Sequence, residues 1–497
     1  MKYRIFAAVI AVLLTFSASV SVFAREPYAG YTYDTYGDRV PAPNVFLPQK
    51  EITGYSLGIG HMSKPSDVFV DEEDNVYLMD TGNGRVIILD NKYNLKKVVD
   101  NFTLDGNPSP LKDASGIFAN AGRGLIYIAD KGNGRVIVTD FDGNILRSEG
   151  KPETDYLSDD IMFAPRKIVV NSIGTMYVLS DNINQGMIAI DEDGVFQGFF
   201  GAEKIQLTPV QRADLMWRKV LTKAQQSYAA TIQPTEYTNI FIDNEDFIYT
   251  ATALETYEKA QIKRLNPSEK NILYEDMRYG DLEGELVNGV YTVSALIDVT
   301  VDDDGFIYAL DKNFGRVYMY DEESWNLGIF GKKDTVWGTF GEPIAIDNAG
   351  GNILVLDNAK ASLFVFEPTE YGKYIIEAEN YHYKGRYALA LEPWEMVRDM
   401  NNNYEWAYAG IGRAQHMVEE YKPAMDNFRL ANNRYLYSQS KKKYRTYILR
   451  KNFTAYTILF LVICIGGYII VKKRRKIAEF IKRKINNGIS DKGRFGQ

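Results

Sequence analysis

The sequence predicts a mainly β fold: a six-bladed β-propeller followed by an α-helical segment and one transmembrane helix. Three observations predict it. Tyr77, Tyr127 and Tyr177 lie fifty residues apart, each inside a copy of one pattern: PSDVFVDEEDNVYLMDTGNGRVIILD, ASGIFANAGRGLIYIADKGNGRVIVTD and PRKIVVNSIGTMYVLSDNINQGMIAID. After Pro368 the apolar period changes from two to near 3.6, the helical value. From Phe453 to Val471, nineteen residues carry no charge. Each early copy holds short β-rich runs divided by Asp, Asn and Gly turns. A single copy cannot bury its apolar face, so the copies must pack on one another as an array.

Taken in order, residues 1–24 carry Lys2 and Arg4, an apolar run from Ile5 to Leu14, and a site ending Val22-Phe23-Ala24. This is the layout of a secretory signal peptide cleaved before Arg25. No Cys stands near the cut, which argues against a lipid anchor there.

Residues 63–367 hold the blades. Three looser copies follow the first three, around Tyr249, Tyr308 and Leu354, giving intervals of 50, 50, 72, 59 and 46. The pairs Val68/Val70, Val299/Val301 and Ile344/Ile346 alternate with period two, as a packed strand requires. Four-stranded sheets set radially about an axis hide most of their edges. The sixth copy runs from its third strand, Ala361 to Phe366, into Glu367-Pro368 and a helical pattern. Its fourth strand is therefore expected from the N-terminal segment 25–62, around Val45 to Leu57, since an open edge invites pairing with other chains.

Asp80-x-x-Asn83-x-Arg85-Val86 and Asp130-x-x-Asn133-x-Arg135-Val136 resemble the signature of NHL repeats, and Asp311 and Arg316 keep part of it. The resemblance implies a propeller, with these residues shaping turns between strands. The third, fourth and sixth copies depart from it. The 72-residue interval contains LTPVQRADLMWRKVLTKAQQSYAAT, whose apolar positions fit a helix with Pro209 near its start. The 59-residue interval contains EKNILYEDMRYGDLEGELVNGVYT. Such insertions land in loops, where a rigid scaffold carries binding function or simply drifts.

Over 368–438, Tyr374, Tyr387, Ala390, Trp394 and Val397 recur thirty-four residues later as Tyr408, Tyr421, Ala424, Phe428 and Ala431. This offset resembles two tetratricopeptide repeats, with a small residue at the helix crossing and an aromatic four residues on. A juxtamembrane helix over 439–452 is expected to cap the stack and lead into the span.

The span, 453–471, reaches roughly 28 Å, close to the thickness of a bilayer core. Seven basic residues flank it before, from Arg434 to Lys451, and eight after, from Lys472 to Lys484. That balance is too even to orient the span. The signal peptide decides instead: the body is extracytoplasmic and the basic tail, 472–497, cytoplasmic. In the tail Ile477, Phe480, Ile481 and Ile485 share one helical face beneath a basic one, a pattern suited to anionic lipid.

The whole chain has a net charge of −8, and removing the two basic ends leaves an ectodomain of 45 basic and 63 acidic residues, or −18. That balance argues against nucleic acid as a partner. The one cysteine, Cys464, lies in the span and excludes a disulfide framework.

The three histidines, His61, His382 and His416, have no metal-ligand or nucleophile–base spacing. A lyase of the NHL type working through histidine-bound zinc is hard to build from them. One constellation remains. Aligning the copies on Val68, Ile117, Ile168, Ile240, Val299 and Ile344 puts Asp67, Gly116, Lys167, Asn239, Asp298 and Pro343 at the starts of the innermost strands. Just before them stand Ser66, Ser115, Arg166, Thr238, Ile297 and Glu342. Asp67, Asn239, Asp298 and Glu342 offer the oxygen ligands that Ca²⁺ takes, and similar six-bladed lactonases hold a divalent ion with such a set. Arg166 and Lys167 in the same ring favour a charge-balanced, hydrogen-bonded ring, or a polar ligand held by mixed charges.

Two functions follow. The first is a non-catalytic, membrane-anchored binding or scaffold protein, with no cofactor. Its propeller engages an extracellular glycan or protein, and its helical repeats engage a partner in an envelope or transporter complex, a membrane protein among the candidates. The alternative is a divalent-metal-dependent hydrolase of the lactonase type using the propeller channel.

Overall fold

The computed structural model describes residues 26–154, 156–157, 160–202, 236–253, 260–287 and 289–492. Residues 1–24, where a signal peptide is expected, and the helical pattern expected from 207 to 231 lie outside the described residues. Six antiparallel sheets follow in chain order, and their innermost strands begin at Asp67, Gly116, Ala164, Asn239, Leu296 and Pro343. Together they form a six-bladed β-propeller. The fourth sheet has three described strands, Asn239–Ile242, Ile248–Ala251 and Ile262–Leu265. In the second sheet, Thr103–Leu104 adds a short parallel strand against Asn144–Glu149.

The sixth sheet closes the ring. Ser362–Pro368 pairs antiparallel with Phe46–Thr53, in register from Ser362↔Thr53 to Pro368↔Phe46. The last blade thus takes its outer strand from the start of the chain, and its edge is covered as sheet physics demands.

Turn chemistry sets the rhythm. At Asp71, Asp140, Asp191, Asp243, Asp302 and Asp321, one carboxylate oxygen accepts the amides two and four residues on, at 2.7 to 3.1 Å. Each such Asp closes a tight reversal between two strands, which is why these turns are Asp-rich. Of the repeating tyrosines, Tyr77, Tyr127, Tyr249 and Tyr308 are buried between the sheets, and Tyr177 is half-buried against the core. Tyr77 Oη donates to Asp71 at 2.8 Å and Tyr308 Oη to Asp302 at 3.1 Å, so each buried hydroxyl is satisfied by the turn of its own blade.

The motif residues lock the opposite turns. Asp80 accepts Asn83 Nδ2 at 2.8 Å and Arg85 Nε at 2.7 Å, and its other oxygen accepts the Ser63 amide at 2.7 Å. Asp130 repeats this with Asn133, Arg135 and the Lys112 amide. The fifth blade departs from it. Asp311 accepts the amides of Asn313 and Ala295, while Arg316 turns away to Asp281 and Glu285. Buried Asp281 also accepts from Tyr31, Tyr33 and Arg39, so it fastens the N-terminal hairpin, Tyr31–Tyr33 with Arg39–Pro41, to the insertion before the fifth blade.

Six described helices follow: α1 (Glu370–Tyr383), α2 (Tyr387–Met400), α3 (Glu405–Met417), α4 (Tyr421–Leu430), α5 (Arg434–Lys451) and α6 (Phe453–Lys492). The chain divides into two compact units, 1–384 with 392–404, and 385–391 with 405–497. In the first, Thr369 caps α1 by accepting the Gly372 amide at 3.1 Å, and it donates to the Asn44 carbonyl at 2.7 Å. Gly372 is required there, because a Cβ would lie 2.1 Å from the Val45 carbonyl oxygen. The propeller body therefore includes α1.

In the second unit α3, α4 and α5 pack in sequence. A Cβ on Gly412 would meet the Phe428 ring at 2.7 Å, so the small residue lets α3 and α4 approach and the aromatic fills the gap. His416 is half-buried and shares a 2.5 Å hydrogen bond with buried Ser440, which makes it a packing residue between α3 and α5. The α6 stretch Phe453–Ile485, whose uncharged run is 453–471, is long and apolar enough to cross a membrane, and its apolar window is not buried within the protein.

Candidate functional site

Of the residues expected at the channel mouth, Asp67 and Asn239 open their innermost strands, Arg166 and Asp298 lie third and Lys167 fourth in theirs, and Glu342 immediately precedes the sixth. What they touch decides what they can do. Asp67, in the first blade, is buried; one oxygen accepts the Val68 amide at 3.0 Å and the other the Ile117 amide of the second blade at 2.8 Å. Asn239 donates to Asp298 of the fifth blade. Asp298 accepts its neighbour Val299 at 2.8 Å and the Ile346 amide of the sixth blade at 2.9 Å.

A fourth member, Asp347, was not among the nominated residues. It is buried, accepts the Val70 amide of the first blade at 2.7 Å, and accepts Thr300 Oγ1 of the fifth at 2.8 Å. One chemical device thus recurs at three interfaces: a carboxylate on one inner strand caps a main-chain amide on the next. Inner-strand amides facing a channel have no ladder partner, and these carboxylates supply it.

Lys167, in the third blade, pairs with Asp67. It reaches past the second blade at Gly116, where a Cβ would lie 2.6 Å from the Arg166 carbonyl oxygen and 2.8 Å from Lys167 Cα. Burial alone would push the Lys167 ammonium down, but Asp67, Asp298 and Asp347 around it hold its pKa above the ordinary lysine value. One cation thus faces three carboxylates in a water-poor space. Burial pushes Asp298 up to about 7, opposed by Lys167, and pushes Asp347 up to about 7, opposed first by its bond from Thr300.

The residues one step earlier bind the blades at the rim. Ser66 Oγ donates to the Ser115 carbonyl at 3.2 Å, Ser115 Oγ to the Arg166 carbonyl at 3.1 Å, and Thr238 Oγ1 to the Leu296 carbonyl at 3.1 Å. Arg166 donates to the Tyr237 carbonyl and lies 3.2 Å from Asp181, which also pairs with Lys131 at 2.7 Å. Beside it is a cleft lined by Leu179, Ser180, Asn184, Glu236 and Tyr237, with room for about one water molecule.

Glu342 stands apart from the ring. It lies 3.4 Å from Lys312 and accepts Asn358 Nδ2 at 3.1 Å, on the rim between the fifth and sixth blades. In the sixth inner strand the residue matching Val299 is Ile346, because Ile346 pairs with Val355 as Val299 pairs with Ala309. The position matching Asp298 is Ala345, not Pro343.

A Ca²⁺ site needs six to eight oxygens with lone pairs free to converge. Here both oxygens of Asp67 and of Asp298 accept main-chain amides, Lys167 occupies the space between, and Glu342 faces elsewhere. The residues do not fit a divalent ion. Among the described residues no group of three or more His, Cys, Asp or Glu side chains is arranged to hold a metal.

No family model matches the sequence. No curated protein matches it. Among solved structures, the chain is similar to virginiamycin B lyase from Staphylococcus aureus, at 13% identity over 64% of this chain and 99% of that one, with a TM-score of 0.38. It is also similar to hydrazine synthase from Kuenenia stuttgartiensis (9% identity, 62% and 96% covered, TM-score 0.38). A Bacteroides thetaiotaomicron protein of unknown function shares 10% identity over 68% of this chain and 76% of its own, with a TM-score of 0.40.

Proposed function

We propose that this chain is a membrane-anchored scaffold. Its propeller stands outside the cytoplasm as a rigid platform for a protein or glycan, its helical repeats take a partner in an envelope or transporter complex, and α6 ties both to the cell membrane as a single span. The observation that supports this most is the commitment of the channel-mouth side chains to neighbouring blades. Asp67, Lys167, Asn239 and Asp298 hold blade to blade, so they serve binding by fixing the platform. The ligand would then meet the mixed-charge rim at Arg166 and Glu342 and the loops around it, the usual place for recognition on a rigid scaffold.

The lactonase reading would require Asp67 and Asp298 to release the amides they cap and Lys167 to leave, all against the stability of the ring. Cross-linking in intact cells, then purification of the full chain in mild detergent, tests the scaffold. A partner retained in stoichiometric amount, and lost in Arg166→Glu or Glu342→Lys, is the expected result. No retained protein or glycan, together with a Ca²⁺-dependent rise in melting temperature after chelation, would overturn it. Protease added to intact cells should digest the propeller and spare the tail.

A further inference from the structure

Helix α5 carries seven basic residues between Arg434 and Lys451 and no acidic one. Lys441, Lys442, Lys443, Arg445, Arg450 and Lys451 are exposed, and no carboxylate among the described residues pairs with them. This is unusual in a chain whose remaining ectodomain is acidic. It is also unexpected beside the span, where a basic flank on the translocated side opposes the usual charge asymmetry.

The place of α5 is fixed by the chain. It ends at Asn452, whose φ of −105° and ψ of 16° leave the helical region, and α6 begins at Phe453. At 1.5 Å per residue, Arg445, Arg450 and Lys451 lie within about 12 Å of the start of the apolar helix. That is close to the screening length of roughly 8 Å in physiological salt, so their charges reach whatever surface α6 enters. Tyr447 is exposed six residues before the start of the apolar helix, with the Lys451 ammonium 5.9 Å from its ring, and at the far end Lys472 lies 5.9 Å from the ring of Tyr468. A tyrosine and a lysine at each end mark two lipid–water boundaries.

We propose that α5 is an anionic-lipid-binding collar: its basic side chains dock on acidic phospholipid headgroups of the leaflet from which α6 emerges. Charge complementarity selects the ligand, and the covalent link to α6 keeps it within reach. Basic side chains at an anionic lipid surface each add to the attraction, so several acting together give a stable collar. The proposal rests on α6 spanning a bilayer, and on nothing about the ligand of the propeller.

The test uses the full chain, delipidated in non-ionic detergent and titrated with phosphatidylglycerol or phosphatidylcholine, with bound lipids counted by native mass spectrometry. The wild type should prefer phosphatidylglycerol. The combined Lys441→Gln, Lys442→Gln, Lys443→Gln and Arg445→Gln variant should lose one class of phosphatidylglycerol sites, weakened at least about tenfold. The same changes at Lys472, Lys473, Arg474 and Arg475 should spare that class. Unchanged phosphatidylglycerol binding in the α5 variant overturns the collar. So does a wild-type chain that binds polyglutamate through α5 in preference to phosphatidylglycerol, which would point to an acidic protein instead. Release of the wild type from membranes by carbonate would overturn the anchor itself, a separate and distinguishable failure.

Discussion

Lys167 of the third blade pairs with Asp67 of the first, passing the second blade at the one inner-strand position that has no side chain, Gly116. The pair spans two interfaces and couples three blades. Asp67 is at once an acceptor for the second blade, through the Ile117 amide, and for the third, through Lys167. Removing the cation leaves a buried carboxylate uncompensated. Lys167→Met should therefore cost about 3–5 kcal/mol. The double change with Asp67→Asn should recover part of that loss, because an amide needs no counter-charge. Melting temperatures of the two singles and the double measure the coupling, and strict additivity would mean that the pair contributes nothing.

Gly116 gives a steric version of the same test. Its backbone angle is ordinary, so what a methyl group meets is the carbonyl of Arg166 and the Cα of Lys167. Main chain cannot swing aside as a side-chain end can. Gly116→Ala should destabilise by about 1–3 kcal/mol. Gly150→Ala, where nothing lies within 4 Å, should leave the melting temperature near that of the wild type. Equal effects at both positions would show that the crossing has slack.

The buried carboxylates of the channel and of two blade turns predict an acid-favoured stability. Burial pushes Asp298 and Asp347 up to about 7, and Asp302 and Asp311 up to about 6. Each binds its proton more tightly folded than unfolded, where the value is near 3.9. Between those limits the folded state holds more protons, so lowering the pH toward 5 stabilises it and raising it toward 7.5 does the reverse; above about 7 these groups contribute no further slope. The melting temperature should thus rise as pH falls from 7.5 to 5.5. Asp347→Asn should flatten part of that rise, because the amide has no proton to bind. A melting temperature that falls steadily over the same interval would refute the assignment.

The blades were legible because apolar alternation and Asp-rich turns are local signals, and the closing strand because the sixth copy lacked one. Asp347 was not legible, and the reason is the period of the strand. The sixth inner hairpin turns through Gly350-Gly351 between paired Ala349 and Asn352, whereas the fifth turns through five residues between Val301 and Ile307. Aligning on Ile344 instead of Ile346 slides the register by two, which keeps every side chain on its face and so leaves the pattern looking correct. Counting back from the paired glycines sets Glu342 outside the ring and puts Ala345 at the ring position, while Asp347 lies two residues further on, where the fifth blade has Thr300. Lys167 was visible as a ring member, but its reach across Gly116 depends on three strands that only the fold brings together.

Arg316 supports the last prediction. In the first two blades the matching arginines, Arg85 and Arg135, bind the Asp of their own turn, at 2.7 Å in each case. Arg316 instead joins Arg39, Tyr31 and Tyr33 on buried Asp281, and both guanidinium groups lie 5.2 Å from the Tyr31 ring. Asp281 is therefore the latch of the hairpin 31–41, and the strand that closes the propeller begins only at Phe46. In Asp281→Ala the two partly buried cations keep only Glu285, and the Tyr31 and Tyr33 hydroxyls lose their acceptor, at a cost on the order of 3 kcal/mol. The hairpin should detach while Phe46–Thr53 stays paired along its whole length. Limited trypsin digestion separates the two events: cleavage after Arg39 should become fast, with the remaining propeller intact. If the sixth blade is digested as quickly as the hairpin, latch and closure form one cooperative unit, and Asp281 holds the ring and not merely its strap.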